Sequence, residues 1–148
     1  MKAKVLIIDD EEAIRSSLKM ILEYEGYEVL LAANGPAGLK IAEKEAPDLV
    51  FLDIKMPQMD GLEVLKRMKA AEGSPPVVIL SGHGNVKTAV EATKLGAFDF
   101  IEKPPESERI RRATAARPNS SRVKEAGSGT LTSMISPMLP SSRNKASL

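Results

Sequence analysis

The sequence predicts an α/β fold, a doubly wound sheet of five parallel strands in the order 2-1-3-4-5, with an atypical fifth helix. Three observations carry this. Five short aliphatic runs recur between Val5 and Ile101. Each is followed by a segment whose apolar residues return every three or four positions, the period of a helix. The runs are near-continuously apolar rather than alternating, which is the pattern of parallel strands covered on both faces by helices. Right-handed crossovers and five strands then favour the order 2-1-3-4-5, with a switch point between strands 1 and 3.

The elements follow in chain order. The predicted strands are Val5 to Ile8, Glu28 to Leu31, Leu49 to Leu52, Val77 to Leu80 and Phe98 to Ile101, each short and bounded by turn residues. The first helix is read from Ala13, Ile14, Leu18, Ile21 and Leu22, and the second from Leu39, Ile41 and Ala42 after Pro36. Leu62, Val64, Leu65 and Met68 after Asp60-Gly61 give the third. Val86, Ala89, Val90, Thr93 and Leu95 give the fourth, stopped by Gly96, a residue suited to ending a helix. Glu106 to Ala116 is the fifth, with Ile110 as its one large aliphatic residue and Pro118 cutting it short.

After Pro105 the composition changes. From Glu106 onward eight Lys/Arg face three Asp/Glu, a net of +5, so the formal charge of +1 hides an acidic region of net −4 at residues 1–105. Residues 1–118 are expected to form one domain. Residues 119–148 read as a basic tail rich in Ser and Pro, either a linker or non-native sequence from a shifted reading frame. The chain holds no cysteine, which excludes disulfides and thiolate metal sites and fits a cytoplasmic location. No apolar stretch approaches the ~20 residues of a membrane span, so no membrane partner is expected.

The acids point to chemistry. Asp9 and Asp10 follow the first strand and Asp53 follows the third, and open parallel sheets bind ligands at the carboxyl ends of their strands. Adjacent strands would bring three carboxylates together, a cluster that resists ionisation unless a hard divalent cation such as Mg2+ neutralises it. Ser81 ends the fourth strand and Lys103 follows the fifth, both at the same edge. A hydroxyl and an ammonium beside carboxylates suit a phosphoryl group, and a carboxylate can attack phosphorus to give an aspartyl phosphate.

These residues give the chain its resemblance. Asp9-Asp10, Asp53, the loop Met56-Pro57-Gln58-Met59-Asp60-Gly61, Ser81 and Lys103-Pro104 match, over residues 3 to 105, the receiver domain of a bacterial two-component response regulator. Ser81-Gly82-His83-Gly84 and the run Gly96 to Pro104 are similar to the nitrogen-regulatory type that precedes a sigma-54-activating ATPase domain. The resemblance implies a flavodoxin-like sheet and a phosphoryl group passed from a histidine kinase to Asp53. It implies Mg2+ held by Asp10, Asp53 and the Lys55 carbonyl, with Asp9 acting through water. Ser81 and Lys103 would contact the phosphoryl group, the amides of Ile54 and Gly82 would complete the anion cradle, Ser81 and Phe100 would form a switch pair, and the bond before Pro104 would be cis. His83 is read as a loop residue.

The same resemblance implies a phosphoacceptor with autophosphorylation and autodephosphorylation only, not a dedicated enzyme. A hydrolase with an aspartyl-phosphate intermediate commonly needs an Asp two residues after the nucleophile, and Lys55 stands there. A stand-alone module acting as a phosphate sink is the other reading. Direct nucleic acid contact by the receiver is not expected. Family homodimers use helix 4, strand 5 and helix 5, and Pro105 with the thin apolar stripe of helix 5 departs from that pattern.

Overall fold

The computed structural model describes residues 2–82 and 86–118. The expected tail at 119–148, with its apolar patch Leu131 to Leu139, and the residues His83 and Gly84 lie outside the described residues. Ten elements alternate along the described residues. They are β1 (Lys4–Ile8), α1 (Glu12–Tyr24), β2 (Glu28–Ala32), α2 (Gly35–Glu45), β3 (Leu49–Asp53), α3 (Gly61–Ala70), β4 (Val77–Ser81), α4 (Val86–Lys94), β5 (Asp99–Glu102) and α5 (Ser107–Ala115). All pairings are parallel, in the order β2-β1-β3-β4-β5. The fold class read from the sequence is the one observed.

Local chemistry sets the helix boundaries. Asn34 caps α2 by accepting from the Ala37 amide at 2.9 Å, and Pro36 occupies its first turn, where a missing N–H costs nothing. Asp60 caps α3 through the Leu62 amide at 3.1 Å. Gly96, just past α4, has φ +102, a backbone conformation most side chains avoid.

Two hydrophobic clusters cover the two faces of the sheet. Val5, Ile7, Leu49, Phe51, Val78, Leu80 and Ile101 face α1 and α5, whose Leu18, Leu22, Ile110 and Ala113 complete that core. Leu6, Ile8, Val50, Leu52, Val77 and Ile79 face α2, α3 and α4. This division is the pleat of a strand, with successive side chains on opposite faces.

The fifth helix is better packed than its sequence suggests. Ile110, Ala113 and Thr114 are all buried, and the Thr114 hydroxyl satisfies itself on the carbonyls of Ile110 and Arg111 at 3.2 and 2.9 Å. Ile110 and Ala113 join the core cluster that contains Leu18 and Leu22 of α1, so the helix is covered although it carries one large aliphatic residue. Arg117 closes the far end, donating to the Tyr27 hydroxyl at 3.1 Å with its guanidinium 5.3 Å from the centre of that ring.

Candidate phosphoacceptor site

Three strands deliver the site. Asp53 is the last residue of β3, in a strand whose five residues are all buried. Asp9 follows β1 by one residue and donates its amide to the Ala32 carbonyl at 3.1 Å, extending the ladder to β2 past the end of the strand. Lys103 follows β5 by one residue and donates its amide to the Ser81 carbonyl at 2.7 Å. Counting in twos from the core residues places Asp9 in phase with Val5 and Ile7, Asp53 with Leu49 and Phe51, and Lys103 with Ile101. Ser81 is in phase with Val77 and Ile79, and Phe100 belongs to that same second core. The pleat thus separates the charged groups from the hydroxyl and the aromatic ring.

Carboxylate oxygens of Asp9, Asp10 and Asp53 lie within 4.8 Å of one another. Asp9 and Asp53 are buried and Asp10 is exposed. The Lys103 ammonium bridges the pair, 2.9 Å from Asp9 Oδ2 and 3.3 Å from Asp53 Oδ2. Asp9 Oδ1 accepts the Glu11 amide at 2.8 Å, whereas the buried Oδ2 accepts no directed hydrogen bond from the described residues and meets the Lys103 ammonium. Asp53 Oδ1 accepts the Lys55 amide at 3.3 Å.

The electrostatics record excess negative charge. The Asp53 carboxyl is raised to about 6: burial is the largest cause, Asp9 acts in the same direction, and Lys103 offsets part of this. Burial likewise raises Asp9, with the Glu11 amide and Lys103 acting against it. For Lys103 burial acts downward, but the contact with Asp9 and the charges of Asp9 and Asp53 outweigh it, and its pKa is raised. One ammonium shared among three acids leaves the site short of positive charge. An all-oxygen donor set with that deficit fits a hard divalent cation such as Mg2+.

Close packing holds the loop after Asp53. Gly61 donates its amide to the Ile54 carbonyl at 2.9 Å, and a Cβ on Gly61 would collide with the Asp53 carbonyl oxygen and the Ile54 backbone. Glycine at that position lets α3 begin against the backbone of the phosphoacceptor candidate.

Most of the residues expected at this edge are found there, with one exchange. The Ile54 amide donates to the Leu80 carbonyl at 3.0 Å as a rung of the ladder to β4, so it is committed to the sheet and does not serve as the free cradle amide expected of it. The Lys55 amide, one residue beyond the sheet, points at Asp53 Oδ1 instead. Ser81 is fully buried and its hydroxyl donates to the Gly82 carbonyl at 3.1 Å, while Phe100 is half-buried. Gly82 is exposed. The Lys103–Pro104 bond is cis.

Two further residues belong to the site. Glu11, mostly exposed, brings a fourth carboxylate within 3.6 Å of Lys103, and Arg15 donates to the Asp9 carbonyl at 2.7 Å. Glu11 is contiguous with Asp9-Asp10 and could have been found as an extension of that acidic run. Arg15 had no such signal, since a charged residue on a helix is ordinarily a solvated one.

Comparison with known proteins settles the family. The model of the response regulator receiver domain matches residues 5–115. The chain belongs to this family. This receiver is similar to sporulation initiation phosphotransferase F of Bacillus subtilis, at 43% identity over 113 residues, covering 76% of this chain and 91% of that protein. It is 44% identical over 112 residues to the nitrogen assimilation regulatory protein NtrX of Azorhizobium caulinodans, covering 74% of this chain but 25% of that protein. The crystal structure of the receiver domain of NtrX from Brucella abortus superposes with a TM-score of 0.72 at 42% identity, covering 75% of this chain and 94% of that one. The likeness to the nitrogen-regulatory type is therefore shown. The chain spans only 53% of the transcriptional regulatory protein FixJ of Bradyrhizobium diazoefficiens, and a quarter of NtrX.

As a receiver the chain is a phosphorylation-dependent switch of a two-component system. Receivers accept phosphoryl groups from histidine kinases, bind Mg2+ in an acidic pocket and are not classed as enzymes. No helix among the described residues is long and apolar enough to cross a membrane.

Proposed function

We propose that Asp53 is the phosphoacceptor and that this receiver is the input part of a transcription regulator of the sigma-54-dependent type. The observation that carries the site assignment is the bridging of Asp9 and Asp53 by Lys103 beside the third carboxylate, Asp10. Mg2+ would be held by Asp10, Asp53 and the Lys55 carbonyl, with Asp9 acting through water, and when bound it supplies the positive charge that admits a phosphoryl anion.

In the reaction an Asp53 carboxylate oxygen forms a bond to phosphorus as the bond from phosphorus to the kinase imidazole nitrogen breaks, and the leaving imidazole takes up a proton. Lys103 orients one phosphoryl oxygen as a point charge. The Ser81 hydroxyl, now turned to the Gly82 carbonyl, rotates to donate to another, and the amides of Lys55 and Gly82 complete the cradle. Movement of Ser81 vacates space on the α2–α3–α4 side of the sheet, where Phe100 lies, and the aromatic ring turns inward to follow it. The receiver catalyses its own phosphorylation from small donors and its own slow dephosphorylation. Its other properties are proposed as follows: residues 1–118 as the domain, 119–148 as tail or linker, a cytoplasmic location, homodimers through α4, β5 and α5, and no contact of its own with nucleic acid.

A stand-alone receiver is the second reading, favoured by the 91% coverage of a relative that has little beyond this domain. Mass spectrometry after treatment with acetyl phosphate tests the shared chemistry. One added phosphoryl group is expected with Mg2+ and none without it or in Asp53→Asn; full labelling of that variant would refute the assignment.

A further inference from the structure

Asp10 is exposed, yet its carboxylate must stay beside those of Asp9 and Asp53 for the three to act together. A solvent-facing side chain has little packing to aim it, so its direction rests on the backbone it grows from. That backbone is held on several sides. The Asp9 amide is bound to Ala32, and Asp9 Oδ1 takes the Glu11 amide in a tight turn. The Asp9 carbonyl, which belongs to the same peptide plane as the Asp10 amide, accepts Nη1 of Arg15 at 2.7 Å. Arg15 is itself anchored by its amide on the Glu11 carbonyl at 3.1 Å and is half-buried.

We propose that Arg15 is a positioning residue for the cation site: it fixes the peptide plane between Asp9 and Asp10 and thereby keeps the Asp10 carboxylate turned toward Asp53. The inference rests on the reading of these three acids as the Mg2+ site. It makes a claim whose sign is opposite to simple electrostatics. A guanidinium near a dication repels it, so removal of the charge alone would tighten Mg2+ binding. Loss of an outer partner that orients a ligand weakens metal sites by roughly 10- to 100-fold, so removal of a positioning group loosens it. The guanidinium also presents a planar fork that an ammonium does not reproduce, which separates the two roles in a variant of constant charge.

The test is calorimetric titration of the full chain with Mg2+, for wild type, Arg15→Met, Arg15→Lys and Asp53→Asn, alongside thermal melts without the metal. Arg15→Met is expected to bind Mg2+ about tenfold more weakly or worse, at the low end of that range, with Arg15→Lys between it and wild type. Affinity equal to or tighter than wild type in Arg15→Met overturns the inference, as does a lowered melting temperature with unchanged affinity. If Arg15→Met does not fold, Arg15→Lys decides: weaker binding at constant charge supports positioning, and unchanged binding refutes it. Absence of Mg2+ binding by wild type, or full binding by Asp53→Asn, would instead remove the cation site itself and the inference with it.

Discussion

Strands β3 and β5 each lead into a residue of the site, but they are built differently. All five residues of β3 are buried, and Asp53 stands on a strand paired on both sides. In β5 only Ile101 is buried, and among the described residues the strand pairs on one side alone, with β4. The phosphoacceptor candidate therefore sits on a fully buried strand held from both sides. The residues proposed to respond, Phe100 and Lys103, sit on or beside the edge. A switch needs both parts: a fixed point at which charge is added, and an element whose two positions differ little in energy.

Removing matched side chains from the two strands would measure this contrast. Phe51→Ala in β3 is expected to cost about 3–5 kcal/mol, the usual range for a fully buried aromatic. Phe100→Ala in β5 is expected to cost roughly 1–2 kcal/mol, because the ring is half-buried and the edge can relax around it. Urea denaturation monitored by circular dichroism supplies both numbers, and equal losses would show that the edge is packed as firmly as the centre.

A smaller effect should come from the contact that ties β5 to α5. Arg109 donates to Asp99 Oδ1 at 2.9 Å and to the Phe100 carbonyl at 3.1 Å, and the same Asp99 oxygen accepts the Phe100 amide at 2.7 Å. The pair is partly exposed, so Arg109→Ala should cost under about 1 kcal/mol of global stability. Its local effect should be clearer: the amide of Phe100 should exchange with solvent several-fold faster while amides of β3 are unchanged. Uniform acceleration across the sheet would mean that β5 opens only with the whole domain.

The sheet order was legible because each strand is a continuous aliphatic run and each crossover carries helical spacing. The edges of the elements were less so. Asp53 was read as following its strand, but ladder pairing carries β3 through it. The acids were legible only together: one Asp at a strand end commonly caps a helix or forms a turn, but three at one sheet edge beside Ser81 and Lys103 point to chemistry. The assignment of Ile54 to the anion cradle failed for a reason sequence hides: whether an amide faces a ligand or a neighbouring strand depends on where pairing ends, and here it ends one residue later. The fifth helix was undervalued because counting large aliphatic residues misses small ones, and Ala113 and Thr114 are as buried as Ile110.

The central claim is that β3 holds Asp53 in a buried place that is unfavourable for its charge until a cation arrives. With an ordinary pKa of 3.8 raised to about 6, the folded protein binds this proton more tightly than the unfolded chain does. Stability from this group is therefore greatest below pH 4, falls as pH rises through about 6, and stays low above it. The loss is on the order of 3 kcal/mol, and the Asp9 carboxyl shifts in the same direction. The decisive measurement is the unfolding free energy of wild type and Asp53→Asn at pH 5 and pH 8, with and without Mg2+. Without the metal, Asp53→Asn should be more stable than wild type at pH 8, by more than at pH 5. Saturating Mg2+ should raise wild type at pH 8 and leave the variant nearly unmoved. A metal-free variant no more stable than wild type at pH 8, or stabilised by Mg2+ to the same extent, would contradict this account of the site.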